Sequence, residues 1–396
     1  MPLDLSNREW PRRDPELRGK PETGRLVASA RKTFVSEGAV YVKAIDFNGL
    51  MRPIPRNSSA ITSLALRGEV VYGATSGEES WLFQYALTSF RETALPLGPI
   101  PDCQSVRNSL APAPDGSLYG AGKRADGTSA LFRVTGLHLP GDIIQEWGIV
   151  QPNFETVGEP VPGEEVICLR ADRKGARLYG LTAPSGNFFH FDLASREVHV
   201  VGRVDPIKFF SPVLVQGPDG EWYSFGTTGR MMRYDAAADS LEDTGVYVPC
   251  FPGRGPYARI AAAAVDAVQQ RLYVGDTEGL LSVIDLPSGS VTTLGKPVPI
   301  GGIDHLVRLA DGRVYGVAGS REGMAHLFVH EPATGALRDL GVLCATTEKP
   351  WYGYRFGAMV ATDEGRIILG EDDHLGCLFS YFPPALPPPR PVEAAG

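Results

Sequence analysis

The sequence contains few cysteines, and no two of them lie close together. Its 396 residues include five cysteines, an odd number, and no Cys-x-x-Cys pair. Zinc ribbons and thioredoxin-like redox sites need such pairs, and a disulfide framework needs an even set. We therefore expect reduced, mostly buried thiols at Cys103, Cys168, Cys250, Cys344 and Cys377.

Long apolar runs and an excess of basic residues are also missing. No apolar stretch approaches the length of a membrane span, and the polar start carries no segment typical of a secretory signal. The net charge is −8, from 38 Lys and Arg against 46 Asp and Glu. We therefore expect a cytoplasmic protein that binds neither nucleic acid nor membrane, and the alternative is a trimmed secreted form.

Three common enzyme motifs are absent as well. The chain contains no glycine-rich phosphate loop followed by a helix, no Gly-x-Ser-x-Gly sequence and no His-Glu-x-x-His sequence. These absences argue against P-loop or Rossmann nucleotide binding, an α/β-hydrolase and a zincin-type metalloprotease.

The chain instead repeats one pattern seven times. Each copy has a turn, a strand ending in a hydrophobic-Tyr-Gly sequence, a polar loop, a strand with a Leu-Phe-like pair and usually a final Leu-Gly. The clearest copy combines Arg177–Gly180 with Phe188–Asp192. The copies recur at intervals of roughly 40 to 60 residues and consist of strand and turn signals, which is typical of a β-propeller. We predict an all-β fold, a seven-bladed β-propeller with four-stranded blades.

The repeats account for almost the whole chain. We predict an N-terminal arm, one propeller domain and a C-terminal tail at residues 1–24, 25–390 and 391–396. The seventh copy stops at Phe382, before a proline-rich stretch that cannot form a central strand. We expect a lone strand signal at residues 39–45 to supply the missing outer strand and close the ring. The second copy carries an insertion, residues 135–160, that forms either an outer-strand excursion or a lid.

One face of the predicted propeller concentrates cations. Loops that lead into the innermost strands carry a cation or imidazole in five blades, at Arg107, Lys208, Arg259, His305 and Arg355. Arginine forks bind carboxylates, and aromatic rings cover the apolar faces of sugars. We therefore predict an anionic, uronate-containing carbohydrate, bound by Arg107, Asn108, Lys208, Tyr257, Arg259 and Asp373. The alternative is that the basic residues form structural ion pairs with Glu164, Glu165, Asp304 and Asp372.

The densest group of reactive side chains comes from the sixth and seventh repeats. We predict catalytic roles for His305, Tyr354, Arg355 and His374. In a β-elimination, His305 or Tyr354 would act as the base, a cation would hold the carboxylate, and His374 or Tyr354 would act as the acid. For hydrolysis, Asp373 would pair with Glu371 or Glu322 as two carboxylates.

Other histidines and acids allow further interpretations. We expect no cofactor, and the alternative is a divalent cation such as Ca²⁺ at Asp372, Asp373 and His374. His190 and His330 are interpreted as packing residues at one shared third-strand position.

The repeat, as in Leu178–Asp192 and Val314–Gly341, resembles that of bacterial seven-bladed β-propeller proteins. Among these, the propeller-fold polysaccharide lyases and glycosidases imply a site at the channel mouth built from His, Tyr and Arg, here His305, Tyr354 and Arg355. Streptogramin lyases share the blade style, and the Trp-Asp ending of WD repeats is absent. The resemblance implies a carbohydrate-active enzyme, a lyase or glycoside hydrolase. The alternative is a non-catalytic propeller that binds a protein or glycan.

Overall fold

The fold consists of small antiparallel sheets. A computed structural model describes residues 35–45, 54–87, 94–137, 152–206, 211–255, 257–299, 301–319, 324–345, 351–373 and 376–384. Their strands form seven four-stranded sheets and one two-stranded sheet. This part of the chain contains two short 3-10 helices, Arg56–Ser58 and Thr227–Gly229, and no helix long and apolar enough to cross a membrane.

The seven four-stranded sheets are the blades. Blade 1 contains β2 (Ala60–Arg67), β3 (Val70–Ser76), β4 (Trp81–Ala86) and β5 (Ala94–Pro99). Blade 2 contains β6 (Leu110–Pro112), β7 (Leu118–Lys123), β8 (Ser129–Thr135) and β9 (Asn153–Gly158). Blade 3 contains β10 (Glu165–Ala171), β11 (Arg177–Ala183), β12 (Asn187–Asp192) and β13 (Val198–Arg203). Blade 4 contains β14 (Leu214–Gln216), β15 (Trp222–Phe225), β16 (Arg230–Asp235) and β17 (Ser240–Tyr247). Blade 5 contains β18 (Ile260–Asp266), β19 (Arg271–Asp276), β20 (Leu281–Asp285) and β21 (Ser290–Gly295). Blade 6 contains β22 (Ile303–Arg308), β23 (Val314–Ala318), β24 (His326–Glu331) and β25 (Ala336–Val342). Blade 7 contains β28 (Phe356–Ala361), β29 (Ile367–Glu371), β30 (Cys377–Phe382) and β1 (Ala39–Ala44). The small sheet pairs β26 (Cys344–Ala345) with β27 (Trp351–Tyr352).

The innermost strands form a closed ring. Each of the seven contacts the innermost strand of the next blade, and β28 of blade 7 contacts both β22 of blade 6 and β2 of blade 1. Hydrophobic clusters fill the spaces between neighbouring blades, as where Tyr179 of blade 3 packs with Trp222 and Tyr234 of blade 4. The prediction of an all-β, seven-bladed propeller is confirmed.

The repeated Tyr-Gly and Leu-Phe sequences form one packing unit. Gly180 lies opposite Phe189 in the pairing of β11 with β12, and a Cβ atom at Gly180 would lie 2.3 Å from the Phe189 ring. Gly73 and Phe83 repeat the arrangement in blade 1, where the corresponding distance is 2.0 Å. The glycine is therefore required because the phenylalanine ring of the neighbouring strand covers its backbone.

The N-terminal strand closes the ring. β1 pairs antiparallel with β30, from Ala39 opposite Phe382 to Ala44 opposite Cys377. The preceding segment also binds blade 6, because Arg338 donates two hydrogen bonds to the Glu37 carboxylate, at 3.1 and 3.0 Å. The predicted closure by residues 39–45 is confirmed.

Other predicted segments are only partly described. The arm and the tail, residues 1–24 and 391–396, lie outside the described residues. Within the predicted insertion at residues 135–160, Asn153–Gly158 forms β9, the outer strand of blade 2. That strand matches the outer-strand interpretation at this end of the insertion, while residues 138–151 lie outside the described part.

Removing the closing strand should destabilise the whole ring. Deletion of residues 1–45 leaves the β30 edge unpaired and exposes the apolar side chains that β1 covers, so we expect a lower melting temperature and aggregation. Deletion of residues 1–24, the predicted arm, is the control and should melt like the full chain. Equal melting temperatures for the two deletions, measured by calorimetry, would contradict the role of β1.

A methyl group at the glycine of the packing unit should be costly. We expect Gly180→Ala to lower the free energy of unfolding by about 1–3 kcal/mol, because the Phe189 ring must shift. Gly158→Ala is the matched control, since a Cβ atom there meets nothing within 4 Å. Urea unfolding of both variants measures the difference, and equal stabilities would refute the assigned role of the glycine.

Candidate functional site

The innermost strands carry an irregularity near the mouth of the channel. In five blades the pairing of the first and second strands skips one residue, which leaves a β-bulge at the second or third residue of the inner strand. The bulged residues are Thr62, Ile167, Ala261, Asp304 and Gly357. A bulge changes the direction of the side chains beside it. In blade 6 it lies directly before His305.

His305 has a defined protonation state. Its side chain is only partly exposed, and burial lowers its pKa below the ordinary value, against the charges of Asp304 and Asp372 and the Phe356 carbonyl, which raise it. The Nε2 atom lies 2.9 Å from the Phe356 carbonyl oxygen of blade 7. A carbonyl only accepts hydrogen bonds, so Nε2 carries the proton and Nδ1 keeps a lone pair. The lowered pKa favours the neutral form of His305, in which Nδ1 is the basic nitrogen.

Asp372 connects the cations of the mouth. Nε of Arg355 lies 3.2 Å from an Asp372 carboxylate oxygen, and the same guanidinium donates to the Asp372 carbonyl at 2.7 and 3.1 Å. Burial raises the pKa of Asp372, while the charges of Arg355 and Arg107 lower it and that of Asp373 raises it. Arg107, from blade 2, thus acts electrostatically on the same carboxyl group as Arg355 from blade 7.

The mouth is mixed in charge rather than a basic ring. Arg355 pairs with Asp372, as the ion-pair alternative predicts, and the Lys123 ammonium lies 2.6 Å from the Glu165 carboxylate. Arg107 is exposed, and it forms no ion pair with any carboxylate in the described ranges. Arg107 therefore offers an exposed guanidinium that no carboxylate of the described residues pairs with.

The other predicted residues have different surroundings. Tyr257 is 65% exposed, with the Arg254 guanidinium 5.3 Å from its ring centre, and the backbone amide of Arg259 donates to Thr277. Asn108, with a φ of 49°, is held by the Arg170 guanidinium of blade 3 through its carbonyl and its side-chain oxygen.

Two further features concern the predicted catalytic set. The Tyr354 carbonyl accepts a hydrogen bond from the Ala325 amide at 2.9 Å, which ties the start of blade 7 to blade 6. Lys208 and His374 lie outside the described residues, as does part of the Asp372, Asp373 and His374 cation alternative. The described residues therefore bring together His305, Arg355 and Arg107 around Asp372.

The interpretation of His190 is wrong in its register. His190 lies opposite Tyr179, whereas His330 lies opposite Val314, one residue further along its strand. A shift of one residue places a side chain on the other face of a sheet. His190 therefore shares a face with His199 and contacts Tyr234 and Asp239 of blade 4. No spacing along the sequence predicts a pair of residues on different blades.

The architecture defines a seven-bladed propeller with a candidate site where blades 6 and 7 meet. Solved structures share this fold at low sequence identity. A catalytically inactive histidine-to-alanine variant of virginiamycin B lyase from Staphylococcus aureus, solved with quinupristin, superposes with a TM-score of 0.61 at 8% identity, over 87% of this chain and 99% of that one. A streptogramin B lyase gives a TM-score of 0.54 at 10% identity, over 86% and 98%. The WD40 propeller domain of Doa1 gives 0.54 at 11%, over 88% and 97%.

These similarities establish the fold alone. No protein-family model and no curated protein sequence matches the chain. The neighbours reported above are two lyases and a WD40 domain, and not the polysaccharide lyases that the sequence resemblance suggested.

Acidification should weaken the folded state in part through His305. Its pKa is lower in the folded chain than the ordinary value of 6.5. The unfolded chain therefore binds more protons, and stability falls as the pH drops below 6.5. Gln at position 305 keeps a donor for the Phe356 carbonyl but cannot titrate. We expect His305→Gln to lose less stability than the wild type between about pH 7.5 and about pH 5.5, measured by urea unfolding. Identical losses in the two proteins would contradict the assignment.

Proposed function

We propose that this protein is a lyase that acts at the channel mouth with His305 as its base. The observation that carries the proposal is the 2.9 Å contact of His305 Nε2 with the Phe356 carbonyl, which directs the Nε2 proton to that oxygen. Burial lowers the pKa of His305 and so favours the neutral ring, with a lone pair on Nδ1. A general base works best when it is unprotonated at the working pH and fixed in one tautomer. The lyase names of two structural neighbours support the reaction class by analogy.

The proposed reaction is a β-elimination. Nδ1 of His305 takes the proton from the carbon next to a carboxylate or carbonyl group. The electron pair of that C–H bond forms a C=C double bond, and the bond from the β-carbon to its oxygen breaks. An acid, Tyr354 or His374, protonates the leaving oxygen. Arg107 stabilises the negative charge that develops on the carboxylate or carbonyl oxygens.

The substrate that we propose is an anionic, uronate-containing oligosaccharide. Arg107 offers an accessible guanidinium for its carboxylate, and the exposed ring of Tyr257 offers an apolar face for a sugar. Arg355 has a positioning role in this scheme, because Asp372 holds its guanidinium beside blade 6. A glycoside hydrolase is the finer alternative, with Asp373 and Glu371 as the carboxylates.

Replacing the base should abolish turnover without unfolding the protein. We expect His305→Gln to lower kcat/KM by about 10²–10⁴-fold, because the glutamine has no basic nitrogen. We expect Arg107→Gln to raise KM more than it lowers kcat. The assay follows the ultraviolet absorbance of the unsaturated product on a panel of uronate oligosaccharides, with quinupristin as a non-carbohydrate candidate.

A histidine on the same blade provides the control. His326 pairs with Asp339 on the outer strands, so His326→Gln should retain full activity. The wild-type rate should rise with pH through a pKa below 6.5 and remain constant above it. Turnover by His305→Gln at the wild-type rate would disprove the role of His305. Reducing ends without unsaturated product would establish hydrolysis instead.

One observation favours a non-catalytic propeller as the second candidate. The Arg355 guanidinium, predicted to be catalytic, is occupied by three contacts with Asp372. A binding protein would retain oligosaccharides in calorimetry and release no product from any of them.

A further inference from the structure

Three metal-ligating side chains meet between blades 3 and 4, outside the site described above. His190 on β12 lies directly opposite His199 on β13, and their ring centres are 5.0 Å apart. Asp239 reaches them from the turn between β16 and β17, where its φ is 50°. One ligand atom from each of the three lies within 4.8 Å of the others. The arrangement joins two blades through side chains that are distant in sequence.

His190 is the unexplained member of this group. It is 8% exposed, and neither ring nitrogen makes a hydrogen bond with a group in the described ranges. Its Nε2 lies 3.4 Å from one Asp239 oxygen, without hydrogen-bond geometry. His330, equally buried on blade 6, bonds through Nδ1 to the Ala336 carbonyl at 3.1 Å. Burying an imidazole whose Nδ1 has no hydrogen bond and whose Nε2 has only this long contact is costly, so the side chain points to a ligand.

The donor set fits a transition metal. Two imidazole nitrogens and one carboxylate are typical of Zn²⁺ and related ions, at about 2.0–2.2 Å from the metal. Tetrahedral donors at those bond lengths are about 3.3 Å apart. His199 Nε2 lies 2.8 Å from the second Asp239 oxygen, so the cluster reaches that spacing through small shifts. The Tyr234 hydroxyl donates to Asp239 at 2.7 Å and orients its carboxylate, as the outer shell of a metal site commonly does.

The surroundings leave room for an open coordination position. The three side chains line a cavity of about 590 Å³, which Tyr234, Asp192 and Arg177 also line. The Arg177 guanidinium opposes a cation, but its Nε lies 3.6 Å from the Asp192 carboxylate, and Glu197 adds another negative charge to the lining. An anionic ligand would meet three carboxylates, which makes a cation the better occupant.

We propose that His190, His199 and Asp239 bind one divalent transition metal ion of the Zn²⁺ type, which links blade 3 to blade 4. The cavity supplies a water molecule or another small ligand at the remaining position. This site is separate from the channel mouth and does not depend on the proposed lyase activity.

Calorimetric titration of the chelator-treated full-length protein with ZnCl₂ tests the proposal. We expect one Zn²⁺ per chain, and a melting temperature that rises with the Zn²⁺ concentration. His199→Gln and Asp239→Asn change exposed side chains, so both variants should remain folded, and each should weaken Zn²⁺ binding by more than about tenfold. Tyr234→Phe should weaken binding by about tenfold through loss of the orienting hydrogen bond.

The His326–Asp339 pair provides the matched control. It has the same His–Asp contact, at 2.9 Å, and belongs to no three-residue cluster in the described part of the chain. His326→Gln should therefore bind Zn²⁺ like the wild type. Co²⁺ should give visible bands typical of imidazole ligation, and these should disappear in His199→Gln. No binding by the wild type, unchanged binding in His199→Gln and Asp239→Asn, or a preference for Ca²⁺ over Zn²⁺ would each overturn the proposal.

Discussion

The closure of the ring by the pairing of β1 with β30 is the constraint on which the rest of the structure depends. Without this pairing, blade 7 would keep an open edge, and the apolar cluster that contains Phe356 would lose the packing of Val40 and Val42 from β1. The Phe356 carbonyl that binds His305 belongs to the inner strand of that blade. The two ends of the chain therefore position a group at the centre of the candidate site, although neither end belongs to it.

The repeated sequence units made the architecture predictable. The Tyr-Gly and Leu-Phe sequences encode a local cross-strand contact, in which the ring of Phe189 covers Gly180, and such contacts leave a regular trace in the sequence. The closing strand was predictable because the last repeat ends in prolines. The first determinant lies within one blade, where residues close in sequence are close in the fold, and the second is a visible gap in the repeat pattern.

The arrangement of the site was less accessible to sequence reasoning. The bulge before His305 shifts the strand register by one residue, and no sequence motif predicts this bulge. The pairing of Arg355 with Asp372 depends on two loops of one blade whose relative position only the fold defines. The same limit applies between blades, where His190 of blade 3 and Asp239 of blade 4 are distant in sequence yet lie 3.4 Å apart at their nearest side-chain atoms.

The candidate site combines one neutral base with balanced charges. Arg355 and Asp372 form an ion pair, and Arg107 remains as an exposed positive charge beside them. A neutral imidazole can accept a proton without first losing one. Its tautomer determines which ring nitrogen has the lone pair that would accept the substrate proton. In the proposed reaction the rate therefore depends on His305 more than on the number of cations at the mouth.

The protonation state of His305 can be measured directly. Nitrogen-15 chemical shifts of the histidine rings, followed through a pH titration and assigned with His305→Gln, report the pKa and the tautomer together. The account predicts a pKa below 6.5 and a neutral ring protonated at Nε2. A pKa above 6.5, or a neutral ring protonated at Nδ1, would contradict it.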